Sequence, residues 1–212
     1  MLDLEIRREI VRIMKRLYMR SLITTSSGNV SRRASDRRRF WITSSGVDKY
    51  SLKPEDLSLI DIERGERVLG SKPSSEYRMH LEIYRARDDI EAIVHAHPFY
   101  AVALSHILSR ESLTRIYRRY GERLYEARSY IGSLVVIDRY EPGSVELAKA
   151  VAGELYSNRG VSVAVLRGHG AVSVGASLYE ALNKIEVLED LSRLIFYLLI
   201  LRRRCRDSRA SL

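Results

Sequence analysis

His95 and His97 stand two residues apart at the end of the apolar run Ile90-Glu91-Ala92-Ile93-Val94. In a β-strand, residues i and i+2 point to one face, so the two imidazoles project side by side. That spacing suits two ligands on one metal ion, with ring nitrogens roughly 2.0–2.1 Å from a zinc. Pro98 ends the strand pattern. A strand-end histidine pair with no metal is the competing reading, so the rest of the chain must supply a third ligand and a base.

His169 is the candidate third ligand. It lies in Arg167-Gly168-His169-Gly170, between the apolar runs Val161–Leu166 and Ala171–Val174. Flanking glycines allow a tight turn and a close backbone approach. Glu76 is a nearby carboxylate, and a plain helix-start acid is its common reading. It follows Pro73-Ser74-Ser75 and opens a helical pattern to Arg87, with Tyr77, Leu81 and Tyr84 on one stripe. Ser74 or Ser75 falls at or beside the helix N-cap, and a carboxylate in the first turn is electrostatically favoured. His80 shares a helix face with Glu76, and a packed or hydrogen-bonded histidine is the preferred reading. His106 reads as a partly exposed helix residue.

Small polar residues recur at Thr24-Thr25-Ser26-Ser27-Gly28-Asn29-Val30-Ser31, Ser44-Ser45-Gly46 and Pro73-Ser74-Ser75. The first run reads as a loop, too rich in Gly and Asn for a regular element. Such loops are ordinary turns, or nests of backbone N–H groups that hold a phosphate.

The elements that must carry these residues follow from periodicity. Leu4, Ile6, Ile10, Ile13, Met14 and Leu17 predict a helix over 3–20, with Asp3 as its cap. Strands are expected at Arg39–Thr43, Leu57–Asp61, Ile90–His97, Leu134–Asp138, Val161–Leu166 and Ala171–Val174. Pro54-Glu55-Asp56 reads as a short helical turn, and Glu63–Lys72 as a hairpin-like connection. A helix begins at Phe99, another is capped by Ser144, and Ser177 caps a long one. Residues 109–132 carry Tyr117, Tyr120, Tyr125 and Tyr130 among many charges and show no clear period.

The 212 residues suffice for one core and are read as one domain, 1–212. One cysteine, Cys205, excludes an internal disulfide and a cysteine metal cage. Leu194–Leu201 is far short of the ~20 apolar residues of a membrane span. No signal-peptide pattern opens the chain, so a soluble, cytoplasmic protein is expected. The net charge is +9, with six lysines among 36 basic residues and hence 30 arginines. Arg32-Arg33, Arg37-Arg38-Arg39, Arg118-Arg119 and Arg202-Arg203-Arg204 are scattered and carry no nucleic-acid-binding motif, so they read as a solvated surface.

In this order, the motifs resemble the class II aldolase and adducin head family. Ser26-Ser27-Gly28-Asn29-Val30-Ser31 and Ile42-Thr43-Ser44-Ser45-Gly46 look like its phosphate loops. Lys72-Pro73-Ser74-Ser75-Glu76 with Met79-His80 looks like its serine–glutamate element. Val94-His95-Ala96-His97 and Gly168-His169-Gly170 look like its metal elements, and Pro142-Gly143-Ser144-Val145-Glu146-Leu147-Ala148 like its later turn and helix. The fuculose-1-phosphate aldolase branch is the most similar.

The resemblance implies a three-layer α/β/α sandwich around a largely antiparallel mixed sheet. It implies a homotetramer with active sites between subunits and one divalent metal per subunit, Zn2+ in the fuculose aldolases. His95, His97, His169 and Glu76 would bind it, with Glu76 also the acid/base. Gly28, Asn29, Ser45, Gly46, Ser74 and Ser75 would hold the phosphate of a sugar phosphate. A tyrosine from the neighbouring subunit would serve the aldehyde oxygen, with Tyr117, Tyr120, Tyr125 and Tyr130 as candidates. The implied reaction is reversible cleavage of L-fuculose 1-phosphate or a similar ketose 1-phosphate to dihydroxyacetone phosphate and a small aldehyde such as lactaldehyde. Methylthioribulose-1-phosphate dehydratase and ribulose-5-phosphate 4-epimerase share the scaffold and are the alternatives, followed by a non-catalytic adducin-like module. No nucleic acid or membrane partner is expected.

Overall fold

The computed structural model describes residues Asp3 to Arg209, with side chains as far as Arg202. The side chains of Arg203, Arg204 and Cys205 lie outside the described ones. Eight strands form one sheet: β1 (Asn29–Arg33), β2 (Arg39–Ile42), β3 (Ser58–Asp61), β4 (Arg67–Leu69), β5 (Ala92–Ala96), β6 (Ser133–Ile137), β7 (Val161–Leu166) and β8 (Gly170–Gly175). Their spatial order is β4-β3-β2-β1-β5-β8-β7-β6. Only β6 and β7 run parallel, joined by a crossover helix; the other neighbours are antiparallel.

Six α-helices cover the sheet: α1 (Leu4–Met19), α2 (Tyr77–Ala86), α3 (Phe99–Ile107), α4 (Arg110–Gly121), α5 (Val145–Ser157) and α6 (Leu178–Arg209). Strand alternation divides the core in two. Val30, Trp41, Leu59, Ala92, Val94, Val163 and Val165 pack against α1, α4 and α6. Phe40, Ile42, Ile60, Ile93, Ala164 and Val172 pack against α2 and α5. Both faces are therefore apolar, and the result is the expected α/β/α sandwich.

Several local expectations are corrected. Asp3 does not cap α1 with its side chain. Its carboxylate accepts instead from Trp41 Nε1 at 2.9 Å and from Ser35, tying the helix start to the sheet. The first small-polar run is a loop only as far as Gly28; Asn29 already begins β1, because Val30 and Ser31 pair with β5. Glu76 is the N-cap residue of α2 rather than a residue of its first turn. The illegible stretch 109–132 is helical, α4 followed by a single π-helical turn at Ala127–Ile131. Ser144 and Ser177 act as expected, accepting from the N–H groups of Leu147 and Glu180 at 3.1 Å each.

The arginine surface is corrected at one position. Arg33 is buried and donates to the carbonyls of Ile90 (2.7 Å), Tyr84 (2.8 Å), Arg37 (3.1 Å) and Arg87 (3.1 Å). Arg87 is likewise buried and donates to the carbonyls of Leu155, in the last turn of α5, and of Arg159 and Val161 beyond it. These guanidiniums satisfy carbonyls in loops and at the ends of helices and strands.

Candidate metal centre

The sheet face shared with α2 and α5 carries the site. On β5, Ala92, Val94 and Ala96 face one core, so Ile93, His95 and His97 face the other, toward the start of α2. Asn29 is directly opposite His95 on β1, and Ser31 opposite Ile93, so both share that face. The hairpin between β7 and β8 brings in His169. Gly168 makes the turn at φ +71°, and His169 N donates to Leu166 O at 3.1 Å. Gly170 lets β8 approach the rings. A Cβ there would lie 2.5 Å from Ala96 O, 2.9 Å from His97 Cδ2 and 3.1 Å from His95 Cε1.

The three rings converge, with centroids 4.9–5.2 Å apart. His97 Nε2 is 3.1 Å from His95 Nε2. Glu76 Oε2 is 3.0 Å from His95 Nε2, and Oε1 is 3.2 Å from His169 Nε2. One ligand atom from each of these four residues falls within 4.8 Å of the others. His95 Nδ1 donates to Ala171 O at 3.0 Å, which leaves its Nε2 lone pair directed into the cluster. Glu76 Oε1 is buried and makes no hydrogen bond. Three nitrogens and a carboxylate with an orphaned oxygen fit a divalent cation of the zinc type, and the absence of sulfur is no obstacle.

The electrostatics agree. Burial pushes the Glu76 carboxyl upward, but His95, His169 and the Asn29 amide outweigh it and hold it well below the usual carboxylate range. Burial, reinforced by the charge of His95, pushes His97 down to about 3 and His169 to about 4. Burial also opposes protonation of His95, yet the facing Glu76 carboxylate raises it. The cluster thus favours positive charge at the centre, between Glu76 and the rings.

The small-polar loops meet beside this centre. Lys49 N donates to Thr25 O, joining the first loop to the second. Ser45 N donates to Lys72 O and Ser74 N to Thr43 O, each at 3.0 Å, joining the second to the third. Gly28 and Ser74 are buried, whereas Ser45, Gly46 and Ser75 are exposed at the rim. Asn29 was expected in an open loop; its side chain is buried, donating to Glu76 Oε2 at 3.0 Å and facing His80 Nε2 at 2.6 Å through Oδ1. The sequence reading missed this role, although the two-residue spacing of Asn29 and Ser31 matches that of His95 and His97. Lys49 was also missed: it is buried, and its Nζ donates to Ser44 O at 2.6 Å.

The tyrosine candidates divide. Tyr117 and Tyr120 are core residues, and the Tyr117 hydroxyl shares a hydrogen bond with Ser192 Oγ at 2.7 Å. Both are buried within this chain. Tyr125 and Tyr130 are exposed. His80 is buried and hydrogen-bonded as expected, and His106 is exposed.

The profile of the Class II Aldolase and Adducin N-terminal domain family matches residues 8–196. The chain belongs to this family. It is 32% identical over 198 residues to the L-fuculose phosphate aldolase of Methanocaldococcus jannaschii, covering 93% of this chain and 99% of that protein. It is also 32% identical over 200 residues to the 3-oxo-tetronate 4-phosphate decarboxylase of Haemophilus influenzae, covering 93% and 90%. The crystal structure of L-fuculose-1-phosphate aldolase from Thermus thermophilus superposes with a TM-score of 0.76 at 30% identity, covering 93% and 96%. The class II aldolase family uses a divalent metal, and the His/Glu cluster is intact here, so this member is an enzyme. No helix among the described residues is long and apolar enough to cross a membrane.

Proposed function

We propose that the protein is a metal-dependent aldolase. It cleaves a ketose 1-phosphate, L-fuculose 1-phosphate or a close analogue, to dihydroxyacetone phosphate and a small aldehyde such as lactaldehyde. The observation that carries this reading is the convergence of His95, His97 and His169 on the Glu76 carboxylate beside three joined small-polar loops. The metal held by these four residues is Zn2+ in this proposal, and the working form is a cytoplasmic homotetramer with active sites between subunits. The bound cation supplies Lewis acidity to the substrate carbonyl.

The chain's own groups supply the rest. Gly28, Ser45, Gly46, Ser74 and Ser75 hold the phosphate, far from the breaking bond, and so orient the reacting carbon. Asn29, the first residue of β1 after the Gly28 loop, orients Glu76 through its amide. In the condensation direction Glu76 takes a proton from the hydroxylated carbon of dihydroxyacetone phosphate, and in cleavage it returns one. Tyr125 or Tyr130 of a neighbouring copy handles the proton on the aldehyde oxygen.

A second reading rests on the equal similarity to the 3-oxo-tetronate 4-phosphate decarboxylases. Loss of carbon dioxide leaves the same carbanion next to a carbonyl. The test is to supply purified protein with L-fuculose 1-phosphate and, separately, with a 3-oxo-tetronate 4-phosphate. Release of dihydroxyacetone phosphate, abolished by chelator and restored by zinc, is the expected result. Chelator-insensitive release refutes the metal mechanism, and carbon dioxide with dihydroxyacetone phosphate from the 3-oxo-tetronate 4-phosphate, but no lactaldehyde or dihydroxyacetone phosphate from L-fuculose 1-phosphate, selects the second reading.

A further inference from the structure

Behind Glu76 runs a buried chain of polar side chains. Glu76 Oε2 meets Asn29 Nδ2 at 3.0 Å, Asn29 Oδ1 meets His80 Nε2 at 2.6 Å, and His80 Nδ1 meets Ser31 Oγ at 2.6 Å. Ser31 Oγ meets the Tyr84 hydroxyl at 2.9 Å. Asn29, Ser31, His80 and Tyr84 are all buried. One strand and one helix contribute: β1 gives Asn29 and Ser31, and α2 gives His80 and Tyr84.

The donors can be assigned from one end. An ionised Glu76 only accepts, so the Asn29 NH2 group faces it. Asn29 Oδ1 must then accept, which requires a proton on His80 Nε2. Burial pushes His80 down to about 3, so its ring carries one proton. With that proton on Nε2, His80 Nδ1 is an acceptor and the Ser31 hydroxyl donates to it. Tyr84 then donates to Ser31.

We infer that His80 is a positioning residue for Glu76, acting through Asn29. Without the His80 donor, Asn29 Oδ1 is left buried and unpaired, and the amide is no longer fixed in the orientation that aims Nδ2 at the carboxylate. Glu76 then loses the donor that holds Oε2 and its place against His95. A cluster that merely filled the core would affect stability but leave Glu76 where it is. The geometric part of the inference stands on this chain alone; only its kinetic consequence rests on the aldolase reading.

The test uses the full-length zinc-loaded protein with His80→Leu, His80→Gln and Ser31→Ala. The kinetic probe is solvent deuterium exchange into dihydroxyacetone phosphate, a half-reaction that needs Glu76 and no aldehyde. In His80→Leu, the exchange rate is expected to fall about ten- to a hundredfold, with KM within about twofold of wild type and the zinc still held by the three histidines. Gln restores a donor to Asn29 and is expected to recover most of the rate. Ser31→Ala, the variant to rely on if His80→Leu fails to fold, is expected to lower the rate less. A second, substrate-free readout is nitrogen-15 NMR of the imidazoles, expected to show His80 as the Nε2–H tautomer. Exchange near the wild-type rate in His80→Leu, a Gln variant as impaired as Leu, or an Nδ1–H tautomer would each overturn the inference. If wild type itself exchanges no deuterium, the aldolase reading fails, and the NMR result still decides the placement of His80.

Discussion

Replacing Gly170 with alanine tests whether the metal centre depends on the close approach of β8 to β5. The added Cβ would sit 2.5 Å from Ala96 O, where ordinary contact begins at 3.4 Å, and 2.9 Å from His97 Cδ2. The carbonyl belongs to the β5 ladder and cannot rotate away, so the strands must part locally by about 1 Å. Overpacking of this kind costs about 1–3 kcal/mol. For a chain of this size each kcal/mol lowers Tm by about 2–4 °C. The same displacement moves His95 and His97 away from His169, whereas metal–ligand distances tolerate only about ±0.2 Å. Zinc affinity should fall by about ten- to a hundredfold, measured by competition with a chromogenic chelator alongside a thermal melt. Gly153→Ala is the control. A Cβ there meets nothing within 4 Å on α5, and a helical Gly-to-Ala change should raise stability by about 0.5–1 kcal/mol. Wild-type Tm and zinc affinity in Gly170→Ala would refute the steric argument.

Glu76→Gln keeps the shape of the side chain and removes the base. Deuterium exchange into dihydroxyacetone phosphate should fall by about 10²–10⁴-fold, with the far-ultraviolet spectrum unchanged; a loss under threefold would exclude Glu76 as the base. His80 titrates near 3 in the fold against 6.5 as its ordinary value, so between those pH values the unfolded chain binds a proton that the native chain does not. Stability should therefore fall as pH drops through that window, by up to about 1.4 kcal/mol per pH unit for this group. Urea unfolding of His80→Leu should show a shallower acid limb, and an unchanged slope would contradict burial of a neutral ring. Arg33→Lys keeps the charge but cannot reach four carbonyls at once. It should cost about 2–4 kcal/mol through unpaired carbonyls, seen as a lower urea midpoint with an unchanged m value. A midpoint equal to wild type would show that the clamp contributes nothing.

The outer frame of the fold was legible because apolar periodicity is strong in α1, α5, β6, β7 and β8. Residues 110–121 were not, because arginines occupy most of the solvent face of α4 and only Leu113, Tyr117 and Tyr120 turn inward. The metal residues were legible from spacing, since a two-residue repeat on a strand and a glycine-flanked turn have definite geometric meaning. Asn29 was misplaced for a related reason. Its neighbours Ser26, Ser27 and Gly28 are loop formers, and pairing with β5, which only the tertiary structure supplies, overrides their local preference. Arg33 reads as surface because nothing in a sequence marks the carbonyls that will need donors.

The four-residue cluster cannot by itself choose between carbon–carbon cleavage and decarboxylation, because both deliver an electron pair to a carbon beside the polarised carbonyl. The two reactions differ in the proton on the departing fragment. An alcohol must lose its hydroxyl proton to leave as an aldehyde, whereas a carboxylate leaves as carbon dioxide with no proton to lose. A phenol facing the departing oxygen is therefore needed for the first reaction only. Tyr125 and Tyr130 are 66% and 51% exposed, and they are the two candidates able to extend to a second copy of the chain. Changing both to Phe should depress release of dihydroxyacetone phosphate from L-fuculose 1-phosphate by about 10²-fold or more. Deuterium exchange into dihydroxyacetone phosphate, and any decarboxylation of a 3-oxo-tetronate 4-phosphate, should stay near wild type. Equal loss of exchange and cleavage would place these phenols in the folding or assembly of the site and not in its proton transfer.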